Sequence, residues 1–360
     1  MIAHERQRIR VELGDARSYD VVIGPGAIDE LIAIDARTVV VLYDVAVEPL
    51  AQQVLTAFGS RVLLVRGLVG GEDVKSWELA GELYDWLADV HVDRDTVLIA
   101  IGGGTVTDLG GFVAATYLRG LRWCGVPTTL LAAVDAAVGG KTAINLGAGK
   151  NLVGVFHHPS LVAIEPEAFA TLDPRDIAAG LGEALKTALV ADPELFAFLE
   201  REMPRALAAD PGVLATTVAH CVAAKARVVA GDERETDDSG AGGRAILNFG
   251  HTVGHALEKT CGYGALRHGE AIVLGMRAAL ALSRERGLAP AQADRITALV
   301  NAIPAPHPDA APDAIIKATA SDKKRKAGKV RFILIRDIAD PYIVDDVTEA
   351  SVRAALTAIA

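Results

Sequence analysis

The sequence is poor in cysteine and has no excess of positive charge. Cys124, Cys221 and Cys261 are its three cysteines among 360 residues, and no CxxC pair occurs. Thiols this few and scattered exclude a disulfide framework and suit a reducing compartment. Lysine and arginine total 36 against 46 aspartates and glutamates, which gives a net charge of −10. An acidic chain is a poor candidate for non-specific nucleic-acid binding, so we expect no nucleic-acid partner.

Long uncharged apolar runs are also missing. The N-terminal segment MIAHERQRIR is charged and has no apolar core, so it predicts no signal peptide. Every apolar run of about 18 residues is interrupted by a charged residue or a glycine, so no membrane span is expected. With 51% hydrophobic and 23% charged residues, the chain has the material for a globular core. We expect a cytoplasmic protein with no membrane partner.

The first half of the chain alternates strand-like and helix-like segments. RIRVEL and YDVVIG predict a short strand pair. Apolar β-branched runs predict further strands, at 37–44, 61–67, 96–102 and 161–166. Helix-like stretches lie between them, roughly at 47–58 and 74–89. This pattern is typical of a parallel sheet covered on both faces, so we predict an α/β nucleotide-binding domain over residues 1–174.

The second half of the chain has a different residue pattern. From Asp173 onward, Ala- and Leu-rich stretches predict helices at 173–208, 211–231, 251–262 and 269–287. The segments 329–337 and 341–346 predict a small hairpin. We therefore predict a second, mainly helical domain over residues 175–360. The cleft between two such domains is the default place for a site.

A glycine turn lies between a predicted strand and a predicted helix. Gly102, Gly103 and Gly104 nearly match GxGxxG, with Thr107 at the third glycine position. Glycine lets backbone N–H groups approach a pyrophosphate, and the helix N-terminus faces its negative charge. Asp44, at the end of an earlier strand, could accept ribose hydroxyls. A plain tight turn and a strand-end turn former are the alternatives for the glycines and for Asp44.

Lysines on glycine turns indicate an anion site. In VPTTLLAAVDAAVGGKTAINLGAGKNLVGVFHHP, Lys141 follows two glycines, and Lys150 with Asn151 follows two more. Asp135 precedes them. Other candidate cations are Lys186, Lys225, Arg119, Arg244, Lys323 and Lys324. A solvated surface position is the alternative for any one of these lysines.

An acid and three histidines suggest a metal. Glu183 lies in the apolar segment AGLGEALKTAL, where a carboxylate faces solvent, binds a partner such as Lys186, or ligates a cation. His251 and His255 share one helix face, and His268 follows a glycine-rich turn. Carboxylate and imidazole together suit zinc or a similar divalent ion. Position 252 is threonine, so an HExxH metalloprotease site is excluded.

Several motifs together resemble the 3-dehydroquinate synthases, a family of sugar-phosphate cyclases. The resemblance covers nearly the whole chain. It is carried by GGGTVTDLGGFVAATYLRG, PTTLLAAVDAAVGGKTAINLGAGKN, GLGEALKTAL, DERE, LNFGHTVGHALE and HGEAI, in the family's order. The fold it implies is an N-terminal Rossmann-like NAD-binding domain followed by a mainly α-helical metal- and substrate-binding domain.

The resemblance implies a reaction in the shikimate pathway of aromatic amino acid biosynthesis. The substrate would be 3-deoxy-D-arabino-heptulosonate 7-phosphate, and the products 3-dehydroquinate and phosphate. Transient oxidation by NAD, phosphate elimination, reduction and aldol closure would make the enzyme a phosphate-eliminating carbon–oxygen lyase. It would need a divalent metal, zinc or cobalt, and would act as a homodimer on a small phosphorylated sugar acid.

The resemblance also assigns residues. The metal ligands would be Glu183, His251 and His268, whereas His255 would contact substrate. The substrate and phosphate contacts would be Arg119, Asp135, Lys141, Lys150, Asn151, Lys186, Lys225, Arg244, Asn248, His255 and Lys323, with Lys324 as a rival to Lys323. The cofactor contacts would be Asp44, Gly70, Gly71, Glu72, Asp73, Val74, Lys75, Gly103, Gly104, Thr105, Val106, Thr107, Asp108, Thr128, Thr129, Lys141, Lys150, Ala168, Phe169, Ala170 and Thr171.

One segment departs from the family pattern. DERETDDSGAGGRAILN carries about five extra residues, over 236–243, between the acidic motif and Arg244. The insertion puts the family's substrate contact at Glu235 in doubt, and Asp237 is an alternative. Three other functions compete: a related cyclase with another phosphorylated sugar, a metal-dependent polyol dehydrogenase of the same superfamily, and a non-catalytic sensor of NAD or sugar phosphate.

Overall fold

The chain forms two compact units. A computed structural model describes residues 5–14, 17–237, 243–319 and 330–359. The first unit comprises residues 1–172 and 214–230, and the second comprises 173–213 and 231–360. The predicted division at 174/175 lies two residues from the break at 172/173, and residues 214–230 also belong to the first unit. The ion pair of Lys225 on this segment with Asp135 accounts for part of this placement.

A seven-stranded sheet forms the centre of the first unit. Its strands are β1 (Gln7–Val11), β2 (Tyr19–Ile23), β3 (Val39–Asp44), β4 (Val62–Leu68), β5 (Val97–Gly102), β6 (Arg122–Pro127) and β9 (Leu161–Ile164). A separate hairpin pairs β7 (Lys141–Leu146) with β8 (Gly149–Phe156). The order in the sheet is β1-β2-β9-β6-β5-β3-β4, and every pairing is parallel except that of β1 with β2. This confirms the predicted parallel α/β sheet and the predicted strand pair.

Alternate residues of the central strands enter two different cores. Val39 and Val41 of β3 pack with α1 (Glu48–Phe58) on one face. Val40 and Leu42 pack on the other face with α2 (Trp77–Asp89) and α3 (Gly104–Thr116). Burial on both faces explains why these strands read as continuous apolar runs. The β4 run was expected to be covered in the same way, but β4 is the edge strand and exposes Leu63 and Val65.

The second unit is mainly helical. Its elements are α4 (Pro174–Ala191), α5 (Pro193–Leu207), α7 (His251–Cys261), α8 (His268–Glu285), α9 (Pro290–Ala302), α10 (Pro312–Thr319), α11 (Glu349–Ala355) and the hairpin of β10 (Phe332–Asp337) with β11 (Asp340–Val344). The stretch predicted as one helix over 173–208 is two, because the Asp192 side chain accepts hydrogen bonds from the N–H groups of Glu194 and Leu195 and begins a new helix before Pro193.

Helix α6 (Pro211–Gly231) contributes its residues 214–230 to the first unit. Among the described residues it is the one helix whose length and composition would allow a membrane crossing, and 67% of its apolar window is buried. A buried core helix passes the same test of length and composition.

Glycines allow α8 to pack closely against two neighbours. A side chain at Gly182 of α4 would lie 2.8 Å from the carbonyl oxygen of Gly269 in α8. A side chain at Gly269 would overlap the backbone of Ala179, and one at Gly275 would overlap the backbone of Gly250 before α7. Gly182 and Gly269 directly adjoin the candidate metal ligands Glu183 and His268, so backbone packing determines how closely those two side chains approach.

Candidate active site

A buried carboxylate on α4 faces two imidazoles that begin α7 and α8. Glu183 lies in the middle of α4 and its side chain is fully buried. His251 and His268 are the first residues of their helices. Gly250 has a φ of 79°, a left-handed conformation that glycine adopts readily, and this begins α7 sharply at His251. The fold thus brings together the three side chains that the resemblance names as metal ligands.

The distances among these groups suit a divalent ion. Glu183 Oε1 lies 3.6 Å from His251 Nε2 and 3.4 Å from His268 Nε2. A tetrahedral zinc ion with bonds of about 2.0–2.1 Å separates its ligand atoms by about 3.3–3.4 Å. One carboxylate and two imidazoles at such separations would leave a coordination position for substrate. The other carboxylate oxygen, Glu183 Oε2, lies 2.5 Å from Nζ of the buried Lys186.

His255 lies beside the same cluster. Ligand atoms of His251, His255 and His268 all lie within 4.8 Å of one another. The His255 ring centroid is 5.2 Å from that of His251 and 5.8 Å from that of His268. A site of three imidazoles is therefore also compatible with the spacing. The assignment of Glu183 rather than His255 as the third ligand stays a prediction.

The charge around His268 favours a cation. Its Nδ1 lies 3.1 Å from Glu258 Oε2, and its Nε2 faces Glu183. Burial lowers the pKa of His268, but the carboxylates of Glu258 and Glu183 outweigh burial and raise that pKa to about 10. His268 keeps 30% of its side chain exposed, so an ion or proton can reach it. Two carboxylates on one imidazole make a site that a proton or a metal ion would neutralise.

The predicted cofactor residues gather at the carboxyl ends of adjacent parallel strands. Gly103 is the N-cap of α3 after β5, and Thr128 and Thr129 follow β6, whose neighbour β9 leads to the turn with Ala168–Thr171. Asp44 ends β3, and residues 70–75 follow β4. This edge is where α/β sheets bind ligands. Asp44 also accepts a hydrogen bond from the Ala46 N–H at 3.0 Å, so it forms the strand-end turn as well.

Close packing keeps the glycine turn small. A side chain at Gly102 would meet Val106 at 2.8 Å, and one at Gly103 would meet Thr129 at 3.2 Å. The Thr128 N–H donates to the Gly102 carbonyl oxygen at 2.9 Å, which joins the ends of β5 and β6. The turn is therefore tight for packing reasons, and it also places the N-terminus of α3 at the candidate ligand edge.

Lys75 ties cofactor and substrate candidates into one network. Its buried ammonium donates to Asp108 Oδ2 at 2.6 Å and to Asn151 Oδ1. Burial raises the pKa of Asp108, and Lys75 opposes that rise. Lys150 Nζ lies 3.6 Å from Glu72 Oε2. The structure therefore places the GGEDVK stretch beside the GAGKN turn, as a shared ligand site requires.

Asn145 is a member of this network that the sequence reasoning missed. Its amide donates to Glu72 Oε1 at 2.7 Å, and its side-chain oxygen accepts the Asn151 N–H at 2.9 Å. Asn145 joins the two turns that carry predicted contacts. Its position in AINLGAGKN, six residues before Asn151, was the available signal.

A second buried lysine in the first unit holds Asp135. Lys225 Nζ donates to Asp135 Oδ1 at 2.6 Å and to the Asp135 backbone oxygen at 2.5 Å. Asp135 lies in a π-helical turn, Ala132–Ala136, a feature frequent at functional sites. Lys141 is exposed and follows Gly139 and Gly140, both at positive φ. Asp135, Lys141 and Lys225 all belong to the first unit.

Despite the insertion, Glu235 lies beside Asn248, one of the predicted substrate contacts. Asn248 Nδ2 donates to Glu235 Oε1 at 3.0 Å. Asp232, which the sequence reasoning missed, accepts the backbone N–H groups of Thr236 at 2.8 Å and Arg244 at 3.0 Å, the first residue of the insertion and the residue after its last. These bonds join the base of the inserted loop. Lys323 and Lys324, and residues 238–242 of the insertion, lie outside the described residues.

Backbone strain occurs at three of the predicted substrate contacts. Arg119 has a φ of 68°, Asn151 of 53° and Glu235 of 56°. Such left-handed conformations cost free energy in residues other than glycine, and they concentrate at functional sites. The predicted roles of these residues stay predictions, with this strain in their favour.

The fold and the two sites define a class of enzyme. A parallel α/β unit with a glycine turn suits a dinucleotide, and a buried carboxylate with two imidazoles suits a catalytic divalent ion. Comparison with known proteins specifies the class further. Residues 66–179 match the family model for the 3-dehydroquinate synthase N-terminal region, and residues 180–325 match that for its C-terminal region. The chain belongs to the 3-dehydroquinate synthase family, which confirms the resemblance.

Full-length relatives and solved structures agree with this assignment. The 3-dehydroquinate synthase of Cereibacter sphaeroides is 42% identical over 96% of both chains, and that of Caulobacter vibrioides is 41% identical over 97% of both. A 2-deoxy-scyllo-inosose synthase complexed with carbaglucose-6-phosphate, NAD+ and Co2+ has a TM-score of 0.86 at 26% identity, covering 97% of this chain and 99% of its own. A 2-epi-5-epi-valiolone synthase from Streptomyces hygroscopicus, with NAD+ and Zn2+ bound, has a TM-score of 0.85 at 30% identity, covering 98% and 99%.

Proposed function

We propose that this chain catalyses the 3-dehydroquinate synthase reaction. It would convert 3-deoxy-D-arabino-heptulosonate 7-phosphate to 3-dehydroquinate and phosphate, in the biosynthesis of aromatic amino acids. The observation that carries the proposal is the approach of Glu183 Oε1 to two imidazole Nε2 atoms, at 3.6 and 3.4 Å. Relatives 41–44% identical carry that enzyme's name.

The metal would be held by Glu183, His251 and His268. A divalent ion there supplies Lewis acidity toward a substrate hydroxyl. Lys186 Nζ lies 2.5 Å from the second oxygen of Glu183, Oε2, which leaves Oε1 toward the imidazoles. Both imidazoles face Glu183 through Nε2 and have an acceptor within reach of Nδ1. The protein thus contributes a ligand set whose orientation is held from outside the site.

The nucleotide would lie along the carboxyl ends of β3, β5 and β6. NAD supplies reversible hydride transfer, while the protein binds and orients it. The α3 N-terminus and the Gly102–Gly104 turn would face the pyrophosphate, and Asp44 would accept ribose hydroxyls. The Lys75–Asp108 ion pair, 2.6 Å long with its lysine buried, would keep the neighbouring turns fixed.

The buried cations would bind the anionic groups of the substrate. Lys186, Lys225 and Arg244 are all at most 6% exposed. Buried charges need partners, and here Lys186 is paired with Glu183 and Lys225 with Asp135. Arg244 donates from Nη1 to the Glu233 carbonyl oxygen at 2.9 Å, and as a buried cation it would bind a phosphate or carboxylate. The remaining substrate contacts predicted from the family are part of this proposal.

A cytoplasmic homodimer is the proposed form of the enzyme. The three cysteines are free, as a reducing compartment allows. Light scattering after gel filtration measures the mass of the particle, and a monomeric mass at micromolar concentration would contradict the dimer.

The decisive experiment is phosphate release from the heptulosonate phosphate. Protein treated with a chelator and freed of NAD should be inactive, and zinc with NAD should restore release without net NADH formation. Glu183→Gln should abolish release, whereas Glu200→Gln, a surface variant on α5, should not. Release that persists after exhaustive metal removal would refute the proposed metal site.

A related cyclase activity is the second candidate, because two solved cyclases with other products share this fold at TM-scores of 0.85–0.86. A panel of phosphorylated hexoses and heptuloses separates the two. Faster phosphate release from a neutral sugar phosphate than from the sugar acid would favour the related cyclase. Net NADH formation from an alcohol would instead indicate a polyol dehydrogenase.

A further inference from the structure

Glu258 is a buried acid beside the candidate metal site that none of the predicted roles uses. It lies on α7, seven residues after His251, and is 4% exposed. Its Oε2 lies 3.1 Å from His268 Nδ1. A buried carboxylate is retained only where it has partners, so this contact accounts for part of its burial. His268 belongs to α8, so the contact joins two helices of the second unit.

The two imidazoles are held in the same way. His251 Nδ1 lies 3.2 Å from the Phe249 carbonyl oxygen, and its Nε2 points to Glu183 Oε1. His268 Nδ1 meets Glu258, and its Nε2 points to the same Glu183 oxygen. An acceptor at Nδ1 binds the N–H there, which places the lone pair of a neutral imidazole on Nε2. Both rings therefore present Nε2 to one point.

The acceptors differ in charge. The acceptor for His251 is neutral: it is the backbone oxygen of Phe249, two residues earlier in the sequence. His268 has a carboxylate, which can be lost by one substitution and which adds negative charge behind the ring. A carboxylate in this position fixes the ring orientation and makes the imidazole a better electron donor to a metal.

We propose that Glu258 is a positioning residue for the metal site, acting through His268 and not by contact with substrate. The inference rests on the proposed ligand set. Glu258, the acid at the end of HTVGHALE, then supports a metal ligand and is not an ordinary surface residue of the helix. Loss of the carboxylate should leave the ligands in place but loosen the His268 ring.

The test measures how fast zinc leaves the loaded protein, with an excess of chromophoric chelator to trap it. Release begins from a state in which the metal, not a proton, occupies Nε2, so proton competition does not mask the effect. Glu258→Ala should release zinc about 10- to 100-fold faster, the range for loss of such a support. Glu258→Gln should release it at an intermediate rate, because its amide oxygen still accepts the Nδ1 hydrogen bond. The absorption spectrum of the cobalt-loaded Glu258→Ala variant should shift.

Asp192→Ala is the matched control. Asp192 is also buried in the second unit, where its side chain accepts the N–H groups of Glu194 and Leu195 and caps α5. Its loss should lower the melting temperature and leave the zinc release rate unchanged. If both Glu258 variants release zinc at the wild-type rate and the cobalt spectrum is unchanged, the role of Glu258 is refuted, whereas the proposed metal site is not. Wild-type protein that retains no zinc would overturn the proposed metal site as well, so the two failures are distinguishable.

Discussion

The contact between α4 and α8 should control metal binding, because it adjoins Glu183 and His268. In Gly182→Ala the new methyl would lie 2.8 Å from the Gly269 oxygen and 2.8 Å from Val273 Cγ2, whereas ordinary contact begins at 3.4 Å. The helices must then separate by about 0.6 Å, because the Gly269 oxygen is a backbone atom that no side-chain rotation moves away. In Gly269→Ala the methyl overlaps backbone, which no rotamer change can relieve.

The shift can be converted into an effect on the site. Glu183 Oε1 and His268 Nε2 are 3.4 Å apart, so a separation of about 0.6 Å would exceed the tolerance of about 0.2 Å in metal–ligand distances. Side-chain rotation recovers part of this, and we expect zinc affinity to fall about 10-fold in Gly182→Ala, equivalent to about 1.4 kcal/mol. Overpacking should cost about 1–3 kcal/mol of stability, offset by about 1 kcal/mol from the better helix propensity of alanine. Gly269→Ala should lose more zinc affinity and more stability than Gly182→Ala.

Competition with a chelator of known affinity measures zinc binding, and thermal unfolding of metal-free protein measures stability. Gly81→Ala is the control, because Gly81 lies within α2 and a side chain there meets nothing within 4 Å. It should leave zinc affinity unchanged and raise stability by about 1 kcal/mol or less. Wild-type zinc affinity in both Gly182→Ala and Gly269→Ala would refute the reasoning that helix spacing sets the ligand geometry.

Three further predictions follow from the same geometry. Metal analysis of purified variants should find zinc lost from His268→Ala and retained in His255→Ala, and the reverse pattern would exchange the two assignments. Lys75→Met leaves the partly buried Asp108 without its ion pair and should weaken NAD binding at least 10-fold in a fluorescence titration, while zinc affinity stays at the wild-type value. Burial lowers the pKa of His157 in the folded protein below its ordinary value of 6.5. As the pH falls, the unfolded chain therefore binds a proton at His157 before the folded protein does. The contribution of His157 to stability is full above pH 6.5 and is lost as the pH falls below 6.5. The difference in unfolding free energy between wild type and His157→Gln should therefore shrink from pH 8 to pH 5 in urea titrations, and a constant difference would contradict the assignment.

The strand residues of the first unit were predictable because burial on both faces demands apolar side chains at every position. Val39–Asp44 and Val97–Gly102 therefore read as strands without any knowledge of their neighbours. The edge position of β4 was not predictable in this way, since its residues are equally apolar and only its place in the sheet exposes them. The break between α4 and α5 was readable in principle from Asp192 before Pro193, a cap followed by a helix start.

The candidate site was predictable only where a motif carried it. Glu183, His251 and His268 were named from the family resemblance, whereas spacing along the chain favoured His251 with His255. Asn145, Asp232 and Glu258 were missed because each acts by contact with another side chain or a distant backbone group. A polar residue of this kind has no local pattern that separates it from an ordinary surface position.

By itself the sequence determined which residue types are present, where apolar runs begin and end, and that glycine turns precede helices. Local sterics and hydrophobic burial produce those features, and both act over a few residues. Only the tertiary structure decided that one carboxylate oxygen lies near two imidazoles, and that Glu258 stands behind one of them. Those distances depend on how closely α4, α7 and α8 pack, and that is set by contacts between residues about 20 to 90 positions apart in the chain.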